Sequence, residues 1–324
     1  MEERYTTIRH LFPSLRMIPR EKIASIEPAV VEGRNPAENI AALYSEEGYA
    51  VDFGALAKSF VENSNKKKVD VLVQHKVHRI ERQENLFVLT TSKGKLRASA
   101  VVVAAGAHSL LYAYQLGYGR EYCVLPVSGG FYSGKTVLHG KVYTMQQGKI
   151  PFMAVHADPN IADPQEVRFG PTGRVLPFLE KRKWTTFKES IQSGPRSFRG
   201  LQTLYELLRQ KDLRQYMVMN YAYCLPGIGK RLFLKRVRKI IPAMQAKDIS
   251  YNPAVGGVRP QILNLEKKSL EMTEGKIVGD GIIFNITPSP GATVCLQNAL
   301  EDARRIAAYL HLRFNERKLK QDFK

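Results

Sequence analysis

The stretch 285–310, "NITPSPGATVCLQNALEDARRIAAYL", begins as a proline-punctuated turn and ends as a helix. Pro288 and Pro290 fix φ and remove backbone donors, while Gly291 lets a ligand approach the chain closely. Beyond them Ala292, Val294, Leu296, Ala299, Leu300, Ala303, Ile306, Ala307 and Leu310 keep a helical apolar spacing, which predicts a helix from near Gly291 to about Leu310. Its first turn leaves N–H groups without intrahelical partners at the positive end of the dipole, and Thr287, Ser289 and Thr293 add hydroxyls beside them. An anion or an electron-rich ring edge suits that place; an ordinary capped helix has the same residues.

Working outward, "KIVGDGIIF" ahead of the turn reads as strand. A second apolar strand, "AVVVAAGAHS" (100–109), ends in Ala-Gly, where a missing side chain allows backbone to touch a ring or sugar. It closes a run of four predicted strands at 69–73, 76–82, 85–91 and 96–105. The first and last are continuously apolar, as strands buried on both faces are, and the middle two alternate like a hairpin. Before them a strand in "IAALY" and a turn at Gly48 lead to a helix over 52–63, with Asp52 as N-cap and Phe53, Leu56, Ala57, Phe60 and Val61 as its buried face. Pro13, Pro19 and Pro28 break residues 1–30 into short helical or irregular pieces. From Cys123 to about Leu263 strands such as "CVLPVSGGFYSG" and "VRFGPTG" alternate with long basic helical stretches, the pattern of an antiparallel or mixed sheet.

The 324 residues carry 49 Lys plus Arg against 30 Asp plus Glu, a net charge of +19. Such an excess favours nucleic acid, an anionic membrane face or anionic substrates. It is concentrated in 179–200, 229–241 and 312–324; in the second patch Leu232, Phe233, Leu234, Val237, Ile240 and Ile241 alternate with cations, which fits a membrane interface or a solvated helix over a core stripe. No zinc-finger spacing, aromatic RNA-binding signature or helix-turn-helix supports nucleic acid. Cys123, Cys224 and Cys295 have no metal or redox spacing, so reduced thiols in a cytoplasmic-type compartment are expected. No apolar run reaches the ~18–20 residues needed to span a bilayer.

The order of the segments "GYAVDFGAL", "HKVHRIE", "VVVAAGAHS", "LPVSGGFY", "AVHADP", "RFGPT", "GGVRPQI" and "NITPSPGATVCLQNA" resembles FAD-dependent oxidoreductases of the amino-acid-oxidase and glycerol-phosphate-dehydrogenase superfamily. Within it, "EGRNPAENIAALYSEEGYAVDFGAL", "VHADP", "RFGPT", "VRPQIL" and "TPSPGAT" resemble malate:quinone oxidoreductases. One feature departs from that pattern: no G-x-G-x-x-G turn occurs, since "GYGREY", "GIGKRL" and "GDGIIF" all lack the third glycine. The resemblance implies an α/β (mixed α+β) chain, with an incomplete, discontinuous Rossmann-like FAD domain (51–122 and 264–324) and a substrate domain on an antiparallel or mixed sheet (1–50 and 123–263). It also implies a start beyond the first βαβ unit of the family.

The activity so implied is oxidation of (S)-malate to oxaloacetate with electrons passed to a membrane quinone, on the inner face of a bacterial membrane whose anionic lipid meets the basic patches. Alternatives are a flavin dehydrogenase of another 2-hydroxy acid such as 2-hydroxyglutarate, or a non-catalytic truncated remnant that cannot hold FAD alone or must borrow the absent unit from another polypeptide. By the same resemblance Arg259 is a bidentate carboxylate clamp, and His156, of the residue type whose ordinary pKa lies nearest neutrality, is the proton acceptor with Asp158 orienting it. Arg168 and Gln261 are further substrate contacts. Val77 and Gly106 lie along the dinucleotide, and Thr287, Ser289, Gly291, Ala292 and Thr293 line the pyrimidine end of the flavin.

Overall fold

The computed structural model describes residues 1–145, 154–271, 275–287 and 291–322. In chain order the helices are α1 Glu2–Ile8, α2 Arg20–Ile26, α3 Pro28–Val31, α4 Phe53–Lys66, α5 Ser109–Gln115, α6 Phe187–Ser193, α7 Phe198–Arg209, α8 Lys211–Ala222, α9 Ile228–Val237, α10 Cys295–Tyr309 and α11 Glu316–Asp322. The strands are β1 Arg16–Pro19, β2 Ala41–Tyr44, β3 Val77–Gln83, β4 Leu86–Thr91, β5 Gly94–Ala98, β6 Val101–Val103, β7 Tyr122–Lys135, β8 Val142–Tyr143, β9 His156–Asn160, β10 Asp163–Val175, β11 Ile249–Asn252, β12 Val258–Asn264, β13 Ser269–Glu271, β14 Gly275–Gly279 and β15 Ile282–Ile286. The chain divides into two compact units, the first made of 1–63, 129–174 and 212–256, the second of 64–128, 175–211 and 257–324.

In the first unit, β9 lies antiparallel between β8 and β10, and β11 runs antiparallel to the second half of β7. One face of these strands, with Tyr132, Ala157, Val167 and Phe169, packs on Phe233, Val237, Ile240 and Ile241 from α9 and the turn after it. The basic segment 229–241 is therefore a core helix with a solvated cationic face. Tyr132 and Phe233 stack with ring centroids 4.5 Å apart, and the Tyr132 hydroxyl donates to the Tyr223 carbonyl.

In the second unit, β3, β4 and β5 form the expected hairpin and a third antiparallel strand, β12 pairs with the first half of β7, and β15 joins β14 antiparallel and β6 parallel. Ile80, Phe87, Val103, Leu110, Val124, Ile262 and Phe284 make its core. The result is a mixed α/β chain with antiparallel and mixed sheets, as its strand pattern predicts.

Four details differ from the sequence expectation. The segment 96–105 is two strands, because Ser99 and Ala100 turn the chain between β5 and β6. Residues 69–73 form no strand: Val69, Val71, Leu72 and Val73 are exposed, and no neighbouring strand among the described residues pairs with them. Asp52 does cap α4, its Oδ1 accepting from the Gly54 and Ala55 amides at 2.8 and 3.0 Å, yet none of the helix's apolar residues is buried. Finally, α10 starts at Cys295, with Gly291–Val294 as a turn, and its one buried residue is Asp302.

Candidate functional site

The β9–β10 hairpin concentrates charge in the first unit. Alternation along each strand sends Ala157, Val167 and Phe169 into the core, which leaves His156, Asp158, Arg168 and Gly170 on the opposite face. In the antiparallel register Arg168 stands across from Asp158 and Gly170 across from His156. The cross-strand pair closes as an ion pair, Arg168 NH2 to Asp158 Oδ2 at 2.8 Å, and the other carboxylate oxygen lies 3.4 Å from His156 Nε2. One carboxylate thus orients both a base and a cation. Phe131 fills the space left by Gly170, where an added Cβ would come within 2.6 Å of the Phe131 ring, and the same ring meets His156 edge-on at 6.2 Å. Tyr143 flanks the imidazole from the other side at 5.0 Å. The Asp158 and His156 side chains are only 12% and 14% exposed, and Arg168 Nε is buried with no acceptor among the described residues. An N–H in that state is a donor suited to an incoming oxygen.

A different chemistry is offered at one edge of the second unit. In the parallel register Ile282, Ile283 and Phe284 of β15 pair with Val101, Val102 and Val103 of β6. Both strands therefore release their chains at the same edge, one into Gly106 and the other into Thr287 and the turn before α10. The carboxyl ends of parallel strands are where open α/β sheets take ligands. Gly106 adopts φ +57°, and an added Cβ there would meet nothing within 4 Å. Gly291, Ala292 and Thr293 form the turn into α10, whose N-terminus has no side-chain cap. An open glycine and an uncapped helix start fit the edge of a planar, electron-rich ring. Ser289 lies outside the described residues.

The other expected site residues fall on regular structure. Arg259 and Gln261 lie two apart on β12, hence on one face, opposite Val127 and Leu125 of β7. Gln261 is buried and its amide donates to the Glu271 carbonyl at 2.7 Å. The Val77 carbonyl accepts from the Tyr112 hydroxyl at 2.6 Å. His108, two residues after Gly106, pairs with Glu189 at 3.1 Å.

Sequence reasoning missed a buried polar group beside the second edge. Asp302 of α10 takes Lys276 Nζ at 2.8 Å and the Asn285 amide, while Asn285 Oδ1 is buried without a donor among the described residues. The signal was available: Asn285 interrupts an unbroken apolar strand, and Asp302 stands inside the helix's apolar stripe, where a charge persists only if paired.

Solved structures place this architecture among flavin-oxidase-like folds. Glycine oxidase from Bacillus cereus superposes with a TM-score of 0.57 at 16% identity, over 97% of this chain and 71% of that one. L-α-glycerophosphate oxidase from Mycoplasma pneumoniae, solved with FAD bound, gives 0.56 at 14% identity, over 93% and 65%. Sequence carries the assignment further: a probable malate:quinone oxidoreductase of Campylobacter jejuni is 38% identical over 99% of this chain and 75% of its own length, and a malate:quinone oxidoreductase of Helicobacter pylori is 39% identical over 96% and 71%. The chain belongs to the malate:quinone oxidoreductase family, whose model matches residues 1–321.

Proposed function

We propose that the chain carries out FAD-dependent oxidation of (S)-malate to oxaloacetate and passes the electrons to a membrane quinone. The observation that carries this reading is the shared carboxylate: Asp158 holds His156 on one oxygen and Arg168 on the other. Oxidation of a 2-hydroxy acid removes a hydride from C2 and a proton from the hydroxyl. FAD, when bound, supplies the hydride acceptor; Gly106 would lie beside the dinucleotide, and Thr287, Ser289, Gly291, Ala292 and Thr293 would hold the pyrimidine end of the flavin. Val77 would lie along the dinucleotide.

The proton falls to His156. Asp158 keeps the imidazole oriented and stabilises the imidazolium that forms, and the flanking Phe131 and Tyr143 rings limit its contact with water. Arg168 balances the Asp158 charge and retains a buried N–H for a substrate oxygen. Arg259 is the clamp for a substrate carboxylate, for which a planar guanidinium is the best match, and Gln261 a lesser contact. The family name supports a quinone as acceptor, and a quinone is dissolved in the bilayer, so this reading puts the enzyme at the inner face of the membrane; no helix among the described residues is long and apolar enough to cross it.

Anaerobic titration with malate, read at the flavin absorbance band, tests these roles. His156→Ala should slow flavin reduction by about 10²–10⁴-fold, and Arg259→Ala should chiefly raise the malate concentration required. Normal malate-dependent bleaching in both variants would remove these residues from the mechanism.

A further inference from the structure

A cavity of about 420 Å³ opens in the first unit, at the margin of the sheet face that α9 covers. Across β8 and β9, Tyr143 pairs with His156 and Val142 with the core residue Ala157. The ladder runs one step further, where the Thr144 amide donates to the Val155 carbonyl at 3.0 Å. Alternation therefore turns Thr144 and Val155, both of which line the cavity, away from the imidazole of His156. Arg236 in the last turn of α9 and Lys239 just beyond it close the opposite wall.

The third cation of the wall, Arg34, is committed to the protein. Its side chain is 11% exposed, and it donates from Nε to the Val30 carbonyl at 3.1 Å, from NH1 to Glu38 Oε1 at 2.9 Å and from NH2 to the Lys239 carbonyl at 3.0 Å. The last of these covers a carbonyl at the negative end of α9, which left bare would repel an anion. Glu38 is the one carboxylate of the lining among the described residues, and Arg34 takes it. Arg236 and Lys239 are then left with two positive charges and no carboxylate among the described residues, and Arg236 Nε is buried with no acceptor there. A buried N–H in that state costs free energy that a bound oxygen recovers. A planar guanidinium grips an oxyanion through two parallel bonds, and an ammonium adds a point charge. A lone inorganic ion would fill a small part of the space, which is the size of a small-molecule site, and Met145 and Val155 offer an apolar wall for carbon.

We infer that this cavity binds a metabolite-sized organic dianion, with its oxyanion head on Arg236 and Lys239 and its carbon body against Met145 and Val155. A phosphate monoester and a dicarboxylate share that chemistry. Binding here is separate from the catalytic roles given to His156 and Arg259. Calorimetric titration of the full chain with phenyl phosphate and with phthalate, at about pH 7.5 where a phosphate monoester is dianionic, tests it and tells the two classes apart. Benzenesulfonate, one charge on the same ring, is the control. At least one dianion should bind saturably at a single site, and benzenesulfonate about tenfold more weakly. R236Q should weaken the dianion about tenfold or more and K239Q about two- to fivefold, whereas H156A, and R313Q in the second unit, should bind it as the wild type does. Without ligand, R236Q should melt at or above the wild-type temperature, because it removes a buried donor that has no acceptor. Absence of saturable binding by both dianions, equal affinity for benzenesulfonate, or equal weakening by R236Q and R313Q would overturn the inference. Loss of binding in H156A would also overturn it, by placing the probe at the site of the β9–β10 hairpin. So would a ligand-free R236Q melt well below the wild type, since Arg236 would then have a partner within the protein.

Discussion

Helices α7 and α9 are built from the same kinds of residue and end in opposite environments. Each mixes leucine and phenylalanine with arginine, and each sits in a strongly basic stretch. In α9, Phe233 and Val237 are fully buried among the strands of the first unit; in α7, Phe198 is almost fully exposed. The difference lies in the residues that touch the neighbouring structure. In α9 large side chains face the sheet, and close approach is confined to Gly229, whose added Cβ would come within 2.4 Å of the Tyr223 carbonyl oxygen. In α7 the small residues Gly200 and Thr203 are turned inward beside Leu207, and Phe198, Leu201 and Tyr205 have only the outside. A basic amphipathic helix is therefore a core element or a surface-seeking one according to which stripe the fold covers.

Substitutions can break that contrast, and the largest effect belongs to the buried ring. Phe233→Ala should destabilise the fold by about 3–5 kcal/mol in denaturant unfolding, whereas Phe198→Ala should stay within about 0.5 kcal/mol. Equal losses would mean that the two helices are not packed differently. Next comes the close contact at α7: Gly200→Val should cost about 1–3 kcal/mol, because its side chain collides with backbone at Pro195. A neutral result in thermal melts would show that the helix can lift away from the turn.

Removing the α7 cap should cost about 1 kcal/mol, since Ser197 Oγ accepts from the Gly200 amide at 3.0 Å and Ser197→Ala leaves that donor to water. The smallest effect is expected at Lys268→Ala, about 0.2–1 kcal/mol at low salt, because the Lys268–Glu206 pair behind α7 is close to half exposed. Its signature is a disappearance of the difference from wild type when the same melt is repeated in high salt.

The β3–β4 hairpin, the antiparallel strands of 122–135 and 163–175 and the strand–turn–helix order at 282–309 were all legible, because each rests on local alternation or on Gly and Pro. The pairing of Asp158 with Arg168 was not, although both residues could be named: it depends on the register of β9 against β10, which brings residues ten apart face to face. Likewise the apolar string of α10 suggested a buried stripe, yet the helix turns Asp302 inward because Lys276 and Asn285 are there to receive it. The apolar segment 69–73 reads as a buried strand and is exposed, since apolar composition creates a demand for burial and only a neighbouring strand can meet it.

The sequence by itself determined the family, the net positive charge, the identity of the polar groups in "VHADP" and "RFGPT", and the helix that follows the proline-rich stretch. Those follow from residue type and short-range spacing. Tertiary structure alone decided that the ends of β6 and β15 open at one edge, that Asp158 is shared between His156 and Arg168, and that α9 faces inward while α7 faces outward. Each of these depends on strand register or on the choice of packed stripe, and both are set by contacts between residues far apart in the chain, where local propensity is silent.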